Sequence, residues 1–361
     1  MRYKVKKVLQ EKEKNSYASD VLVLPKNGID CSEGCNPYGF PKAVLNMEYD
    51  FNRLSTYPHS QAPYDAIIEY WRGNVNLEKE NILLADGSIS AIYTVNNIFA
   101  EAGAKVLGYA PQFTDYVANV EFLGMTYTSI KLLPENNYKL ITQDVIDRLS
   151  EDLSVVYLDN PNNPTGQVIP LDEIEEIIIA ARALDICVIV DEAYGDFITR
   201  EESATILLEK YENLIVLKTL SKGFGLAGVR AGFVLASKPL IAYMKKTTNP
   251  YVLGDFSREL VASVLRSENQ LEENILNFAK IKNAIIDLNL KNITIAETDP
   301  RVPICLIIHK DEEVDLVKAL FNRGILAVPG AEFEGLSKNS ARLRMPKIEN
   351  MNRFLEAIKS L

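Results

Sequence analysis

Between Asn81 and Ala236 the chain alternates short strand-like runs with amphipathic stretches of helical spacing, and this alternation constrains the fold more than any other feature. Runs at residues 82–85, 105–110, 126–131, 154–158, 186–190, 214–217 and 233–236 read as strands. Patterns at 89–100, 142–149, 170–184 and 239–246 read as helices. This order predicts an α/β fold in which a mostly parallel sheet is covered by helices on both faces. Ligands of open α/β sheets bind outside the carboxyl ends of the strands, which directs the search for function to the residues that follow each run.

The run at 214–217 leads into Lys218-Thr219-Leu220-Ser221-Lys222-Gly223-Phe224-Gly225-Leu226-Ala227-Gly228-Val229-Arg230. Two hydroxyls, Thr219 and Ser221, with Lys222 and Arg230 in one glycine-rich loop suit a dianionic phosphate beside a reactive amine. A lysine enclosed by other positive charge can have its pKa lowered, which leaves a neutral amine to attack a carbonyl and form a Schiff base. The same loop matches G-x-G-x-x-G at Gly223, Gly225 and Gly228. A dinucleotide fingerprint, however, lies between the first strand and helix of a βαβ unit, with an acidic residue about twenty positions on. Here the motif lies past mid-chain and Glu201-Glu202 precede it, which argues against a nicotinamide site.

Asp86-Gly87-Ser88 joins a strand to a helix, the geometry in which backbone N–H groups hold a phosphate, and the candidates are Ser88 with the amides of Ser88 and Ile89. Residues 186–190 end in Asp191, a carboxylate costly to bury unless it is paired, and capping the next helix is its bland alternative. Asp159-Asn160-Pro161-Asn162-Asn163-Pro164-Thr165-Gly166 also follows a strand, and its prolines and asparagines fit turn chemistry as well as a ligand site. Residues 1–46 lack strong periodicity and read as an irregular arm punctuated by Pro25, Gly28, Gly34, Pro37, Gly39 and Pro41. Beyond Gly232, residues 257–290 read as one long helix, and apolar runs at 304–308 and 325–328 as part of a smaller α+β unit.

At 361 residues the chain exceeds one small core and accommodates a large domain with a smaller one. Apolar and charged contents of 47% and 24% are those of an ordinary globular protein. A net charge of −10 argues against a nucleic-acid partner. Cys31, Cys35, Cys187 and Cys305, with His59 and His309, lack the paired spacing of a zinc site, and Cys187 and Cys305 read as buried thiols. The opening residues are basic and polar without the apolar stretch of a signal peptide, and no run reaches the ~18 apolar residues of a membrane span. The expected compartment is the cytoplasm, with no membrane partner.

Thr219-Leu220-Ser221-Lys222 followed by Gly228-x-Arg230-x-Gly232 resembles the lysine signature of pyridoxal-phosphate enzymes of fold type I. With Asn162-Asn163-Pro164-Thr165-Gly166 and Asp191-Glu192-Ala193-Tyr194, the chain is similar to the class I/II aminotransferases, and within them to the histidinol-phosphate aminotransferase branch, with matching motifs from Asn36 to Arg342. The resemblance implies a large domain at 47–257 with a mostly parallel seven-stranded sheet. It also implies an arm at 1–46 that joins a small α+β domain at 258–361, bridging helix included. Lys222 would hold pyridoxal 5′-phosphate and move the substrate's α-proton. Ser88, Ile89, Thr219, Ser221 and Arg230 would bind the phosphate, and Phe113 would stack on the ring. Asn163 and Tyr194 would bond the ring oxygen, and Asp191 would pair with the ring nitrogen. Tyr57-Pro58 resembles an element whose tyrosine reaches the neighbouring subunit's phosphate, which implies a homodimer with shared sites. Arg342 falls on the arginine whose planar fork grips the substrate carboxylate, with Arg344 as its alternate on the same side of a strand. Tyr38 belongs to an Asn-Pro-Tyr-Gly segment that runs past the mouth of the site.

Departures from the branch are specific. Its usual Arg-x-Pro-Tyr-Asn-Val-Asn stretch reads Thr248-Asn249-Pro250-Tyr251-Val252-Leu253-Gly254, Gly34-Cys35 precede Asn36, Ser257-Arg258 stands for Ser-Gln, and Pro346 for a late glycine. All lie outside the cofactor set, so cofactor chemistry is expected intact while a phosphorylated substrate stays open. The expected activity is amino transfer between an amino acid, or a histidinol-phosphate-like amine, and a 2-oxo acid. A decarboxylase or lyase of the same fold, of the threonine-phosphate decarboxylase kind, is the alternative. A catalytically idle effector-binding domain is a further one, and the retained Lys222 argues against it.

Overall fold

The computed structural model describes residues 4–12, 23–101, 103–267 and 271–361. Seven strands form one sheet in the order Ile82–Ala85, Gly232–Ala236, Leu214–Thr219, Cys187–Asp191, Leu153–Asp159, Lys105–Ala110 and Thr126–Lys131. Gly232–Ala236 runs antiparallel to both neighbours, and every other pairing is parallel. Both faces are buried, so the central strands are apolar at odd and even positions alike. Val155, Tyr157, Ile189, Ile215 and Leu217 pack on one side with Ile92, Val95, Val120 and Ile241. Val156, Leu158, Val188, Val190 and Val216 pack on the other with Ile67, Ile174, Ile178 and Val261. Helix Leu171–Arg182 shows the local logic. It buries Ile174, Ile177, Ile178 and Ala181 as one stripe, with Asp172 and Glu173 in its first turn and Arg182 in its last to complement the dipole. Each buried isoleucine contributes roughly 1.5–3 kcal/mol.

The smaller unit is a four-stranded antiparallel sheet, ordered Val328–Pro329, Ser340–Arg344, Ile304–His309 and Ile293–Ile295. Helices Leu271–Asp287 and Met351–Lys359 supply Phe278, Ile281, Ile285, Phe354 and Ile358 to its core. The arm reaches this unit, where Ile29–Asp30 pairs in parallel with Ile325–Leu326.

Three local expectations change. The long helix expected over 257–290 is two helices, Asp255–Arg266 and Leu271–Asp287, with Ser267 extended at ψ 158° and residues 268–270 outside the described set. Val261, Ala262, Val264 and Leu265 belong to the large core, but Leu271, Phe278, Ile281 and Ile285 belong to the small one. The passage from one core to the other thus falls after Arg266, where the sequence reading set it at 257/258. The helix expected over 142–149 stops at Ile146, because Arg148 N and Leu149 N bond three residues back and tighten the turn. The run at 325–328 divides into two short strands, because Ile325–Leu326 pairs with the arm and Val328–Pro329 with Ala341 and Arg342.

Among the cysteines, Cys31 and Cys305 are fully buried and Cys187 only partly, and burial pushes the Cys31 thiol up to about 12. Among the described residues no helix is long and apolar enough to cross a membrane.

Candidate active site

Asp159, Asp191 and Thr219 close three adjacent strands at their carboxyl ends, and a cavity of about 330 Å³ opens there. Ser88, Ile89, Phe113, Asn163, Asp191, Tyr194, Ser221, Lys222 and Arg230, all singled out from the sequence, line it together.

At one end is an anion cradle. Gly87, at φ 81°, turns the chain into helix Ser88–Phe99 and presents the helix N-terminus to the cavity. Its positive φ favours glycine, and a Cβ there would lie 2.6 Å from Arg230 Nη2 and push the guanidinium aside. Arg230 sits in the left-handed region at φ 54° and donates from Nη1 to Ala227 O at 3.0 Å. Thr219 does not line the cavity. Its Oγ1 lies 3.0 Å from Ser221 Oγ, donates to Ala231 O and accepts from Ser221 N, so it braces Ser221 from behind.

At the other end, the Tyr157 hydroxyl donates to Asp191 Oδ2 at 2.8 Å and Ala193 N donates to Oδ1 at 3.0 Å. Burial outweighs these two donors and pushes the Asp191 carboxyl up to about 7, with Asp159 and Glu192 adding repulsion. A cation set against Asp191 would remove that penalty. Tyr157 is itself held by a stack on Tyr116, with ring centroids 3.4 Å apart.

Asp159 orders the next loop. Its Oδ1 accepts from Asn162 Nδ2 at 3.0 Å and its Oδ2 from Asn163 N at 3.1 Å, while Gln112 Nε2 donates to Oδ1 at 3.0 Å. Asn163 Oδ1 accepts from Arg342 Nη1 at 3.0 Å, and Arg342 Nη2 donates to Ser32 O, so loop, small-domain strand and arm meet at one guanidinium. The arm also covers the lysine. Asn36 N donates to Lys222 O at 3.0 Å, and a side chain at Gly34 would collide with the Tyr194 hydroxyl and come 3.4 Å from Lys222 Nζ. Lys222 Nζ lies 5.7 Å from the centre of the Tyr194 ring.

Five expected residues do not line this cavity: Thr219 and Arg342, placed as above, and Arg344, Tyr38 and Tyr57. Arg344 is buried and donates from Nε to Glu33 O at 2.9 Å and from Nη2 to Asp30 O, both in the arm, and from Nη1 to Met345 O at 3.1 Å, so its fork is engaged by backbone carbonyls. The Tyr38 hydroxyl accepts from Ile348 N at 2.8 Å and its ring lies 5.8 Å from that of Phe278. Tyr57 is 68% exposed and stacks on Tyr251 at 4.4 Å. Sequence reasoning missed Asp159, Tyr157 and Gly34; Asp159 and Tyr157 could have been found, since both interrupt or end an apolar strand with a polar group that needs a partner.

The glycine motif at 223–228 ends within a 3₁₀ turn, Ala227–Val229, which leads into an antiparallel strand. A dinucleotide fingerprint needs a helix there, so the nicotinamide reading fails. The arrangement instead suits an anion at the cradle, a flat apolar body in the middle, a positive ring atom opposite Asp191 and a nucleophilic amine at Lys222.

A family model described as aminotransferase class I and II matches residues 26–358. Histidinol-phosphate aminotransferase of Methanococcus maripaludis (strain C5) is 28% identical over 358 residues, 97% of this chain and 94% of that protein. Its counterpart from Ruminiclostridium cellulolyticum is 30% identical over 304 residues, 82% of each. The solved histidinol-phosphate aminotransferase of Clostridium acetobutylicum has the same fold, with a TM-score of 0.81 at 23% identity over 92% of this chain and 98% of that one. Because the family match extends from the arm into the last helix, it takes in both cores as well as the cavity, and the chain belongs to the class I and II aminotransferases.

Proposed function

We propose that Lys222 carries the cofactor and moves the proton in this aminotransferase. The cofactor of the family is pyridoxal 5′-phosphate, and the reaction passes an amino group between an amino acid and a 2-oxo acid. The observation that carries the residue assignment is the buried Asp191 carboxyl, which wants a cation and shares one cavity with Lys222 and the anion cradle. The residues fit the group: Ser88, Ile89, Ser221 and Arg230 for the phosphate, Phe113 and Ala193 for the ring's surroundings, and Asp191 for the ring nitrogen. When bound, the cofactor supplies an electron-poor ring that takes up the electron pair left when the substrate's α C–H bond breaks.

Asp191 keeps the proton on the ring nitrogen, and Asn163 and Tyr194 bond the ring oxygen. Lys222 Nζ takes the proton from the substrate's α-carbon and delivers it again. Arg342 holds the substrate carboxylate in a planar fork already aimed by Asn163 and Ser32 O, and orientation of this kind supplies several kcal/mol of barrier lowering. Arg344 keeps the arm in place so that Gly34 and Asn36 cover the lysine. The names of the relatives support a histidinol-phosphate-like amine as one substrate, and the altered stretch Thr248 to Gly254 leaves an unphosphorylated amino acid equally in view.

The assembly proposed is a homodimer in which Tyr57 reaches the neighbouring site. Exposed Leu45, Phe51, Leu54, Tyr57 and Tyr251 support it, since such a surface favours burial against a second copy. The four free cysteines support the cytoplasm as the compartment.

Borohydride reduction of the holoenzyme followed by peptide mapping tests the central assignment. The mark is expected on Lys222, and a mark on any other lysine overturns it. Lys222→Ala is expected to abolish turnover while the fold persists.

A further inference from the structure

Arg230 brings a positive charge to the anion cradle, yet its side chain is exposed and its backbone stands in the left-handed region at φ 54°. Besides its bond to Ala227 O, it reaches across the fold from Nη2 to Asp86 O at 3.4 Å. A long side chain so placed keeps much of its rotamer freedom unless the backbone around it is fixed. The fixing comes from the first turn of helix Asp255–Arg266. On one side, the Ser257 hydroxyl donates at 3.1 Å to Val229 O, the carbonyl of the peptide that leads into Arg230. On the other, Leu253 N donates at 3.2 Å to Oδ1 of Asp86, the residue whose own carbonyl receives Arg230.

The stretch that brings Leu253 to Asp86 is strained. Tyr251 and Leu253, neither of them glycine, both take left-handed conformations, at φ 59° and 60°. Arg258 ties this stretch down. It donates from Nη2 to Val252 O at 2.8 Å, from Nε to Leu253 O at 3.1 Å and from Nη1 to Ser60 O at 3.1 Å. The guanidinium is buried, and the acids on either side of it in the helix, Asp255 and Glu259, are taken by Arg53. It also stands in the first turn of a helix, where the dipole opposes a cation. An apolar side chain would be buried there at lower cost. What an apolar side chain cannot do is gather the carbonyls of Val252 and Leu253 and so keep Leu253 N on Asp86.

We infer that Arg258 is a positioning residue for Arg230, acting through Leu253 and Asp86; this rests on the cradle taking the cofactor's phosphate. The first turn of one helix thereby sets the cradle from two sides, Ser257 at Val229 and Arg258 at Val252 and Leu253.

The test titrates protein freed of cofactor with pyridoxal 5′-phosphate and, separately, with pyridoxal, which has the ring and aldehyde but no phosphate. Arg230→Met is expected to raise the Kd of pyridoxal 5′-phosphate by about tenfold to a hundredfold and to leave that of pyridoxal within about threefold of the parent's. Arg258→Met fills much of the same space without donors, and is expected to raise the first Kd by about fivefold to thirtyfold with pyridoxal likewise unmoved. In the double variant, Arg258→Met is expected to add less than about twofold to the effect of Arg230→Met, because a residue that acts through Arg230 has nothing left to position. Arg258→Gln keeps one donor group at shorter reach and guards against a methionine variant that does not fold. It is expected to raise the Kd of pyridoxal 5′-phosphate by about threefold to tenfold. The role is overturned if either folded Arg258 variant binds pyridoxal 5′-phosphate as the parent does, if pyridoxal weakens in step, or if the two arginine effects multiply in the double variant. The two assignments separate in the same titrations. Parental binding of pyridoxal 5′-phosphate by Arg230→Met refutes the cradle and the proposal with it, whereas weakened binding by Arg230→Met and parental binding by the Arg258 variants refutes Arg258 alone.

Discussion

Asp191 costs the folded chain stability until a positive charge is set against it. Burial pushes its carboxyl up to about 7, whereas in the unfolded chain it ionises near ~3.9. Between about pH 4 and 7 the folded state therefore binds more protons than the unfolded one, and the stability of cofactor-free protein falls as pH rises through that window. Asp196 adds a loss of the same sign. Glu202, held down to about 2 chiefly by Arg301, acts elsewhere: its contribution is present above the ordinary carboxylate range and disappears as pH falls towards 2. Asparagine at 191 cannot ionise. The melting temperature of cofactor-free Asp191→Asn is thus expected to fall less than that of the parent between about pH 5 and 7.5, and parallel curves would contradict the burial described. With cofactor present, the same substitution is expected to retain binding and to lose turnover by about a hundredfold or more, because an amide cannot hold the ring nitrogen's proton. Near-normal turnover would remove Asp191 from the mechanism.

Among the elements, the loop from Asp159 to Gly166 is where the smaller unit docks. Gly166, at φ 76°, accepts from Asp299 N at 2.9 Å, and a Cβ on it would collide with Ile304 O and lie 2.8 Å from Thr298 Oγ1. Those same groups are gathered by Lys282, fully buried, which donates to Thr298 Oγ1 at 2.9 Å, Asp299 O at 2.7 Å and Ile304 O at 2.8 Å. The docking also aims Asn163 at Arg342, so packing and substrate binding share one contact. Gly166→Ala is expected to destabilise the protein by about 2–4 kcal/mol, read as a lower melting temperature, and to raise the KM of carboxylate substrates. Gly228, with open space around it and an ordinary φ, is the control: Gly228→Ala is expected to stay within about 0.5 kcal/mol of the parent. Equal melting temperatures for the two variants would show that the Gly166 contact does not form in solution.

At the scale of the whole molecule, two cores are held together by the arm, by the loop at 297–301 and by the fork of Arg301, whose Nη1 and Nη2 lie 2.7 and 2.8 Å from the Glu202 carboxylate. Tyr57 is left facing outward from this closed body, 68% exposed, and the cradle of its own chain does not include it. The homodimer proposal gives it a place. Sedimentation is expected to show a dimer, and mixing inactive Lys222→Ala protein with a Tyr57 variant of low activity is expected to restore up to about a quarter of parental activity after subunit exchange, since hybrids carry one intact site. An active monomer would return Tyr57 to the role of a surface tyrosine.

The sequence by itself determined the large sheet and most of the residues that line the cavity, and for one reason. Strands buried on both faces must be apolar at every position, so they stand out as runs, and the residues that line the cavity at their carboxyl ends are then close to them in the chain: Asp191 ends a strand, and Ser88, Asn163, Lys222 and Arg230 lie a few residues beyond one. Only the tertiary structure decided what depends on segments far apart in the chain. Both Arg342 and Arg344 bond the arm's backbone, but only Arg342 also reaches Asn163, a difference set by how the arm docks. The break after Arg266 is invisible in a pattern that is helical on both sides, because it arises where one helix would have to bury its faces in two different cores. Gly34 against Tyr194 and Tyr157 against Asp191 are likewise pairings across the fold, and periodicity, which records only a residue's neighbours along the chain, carries no trace of them.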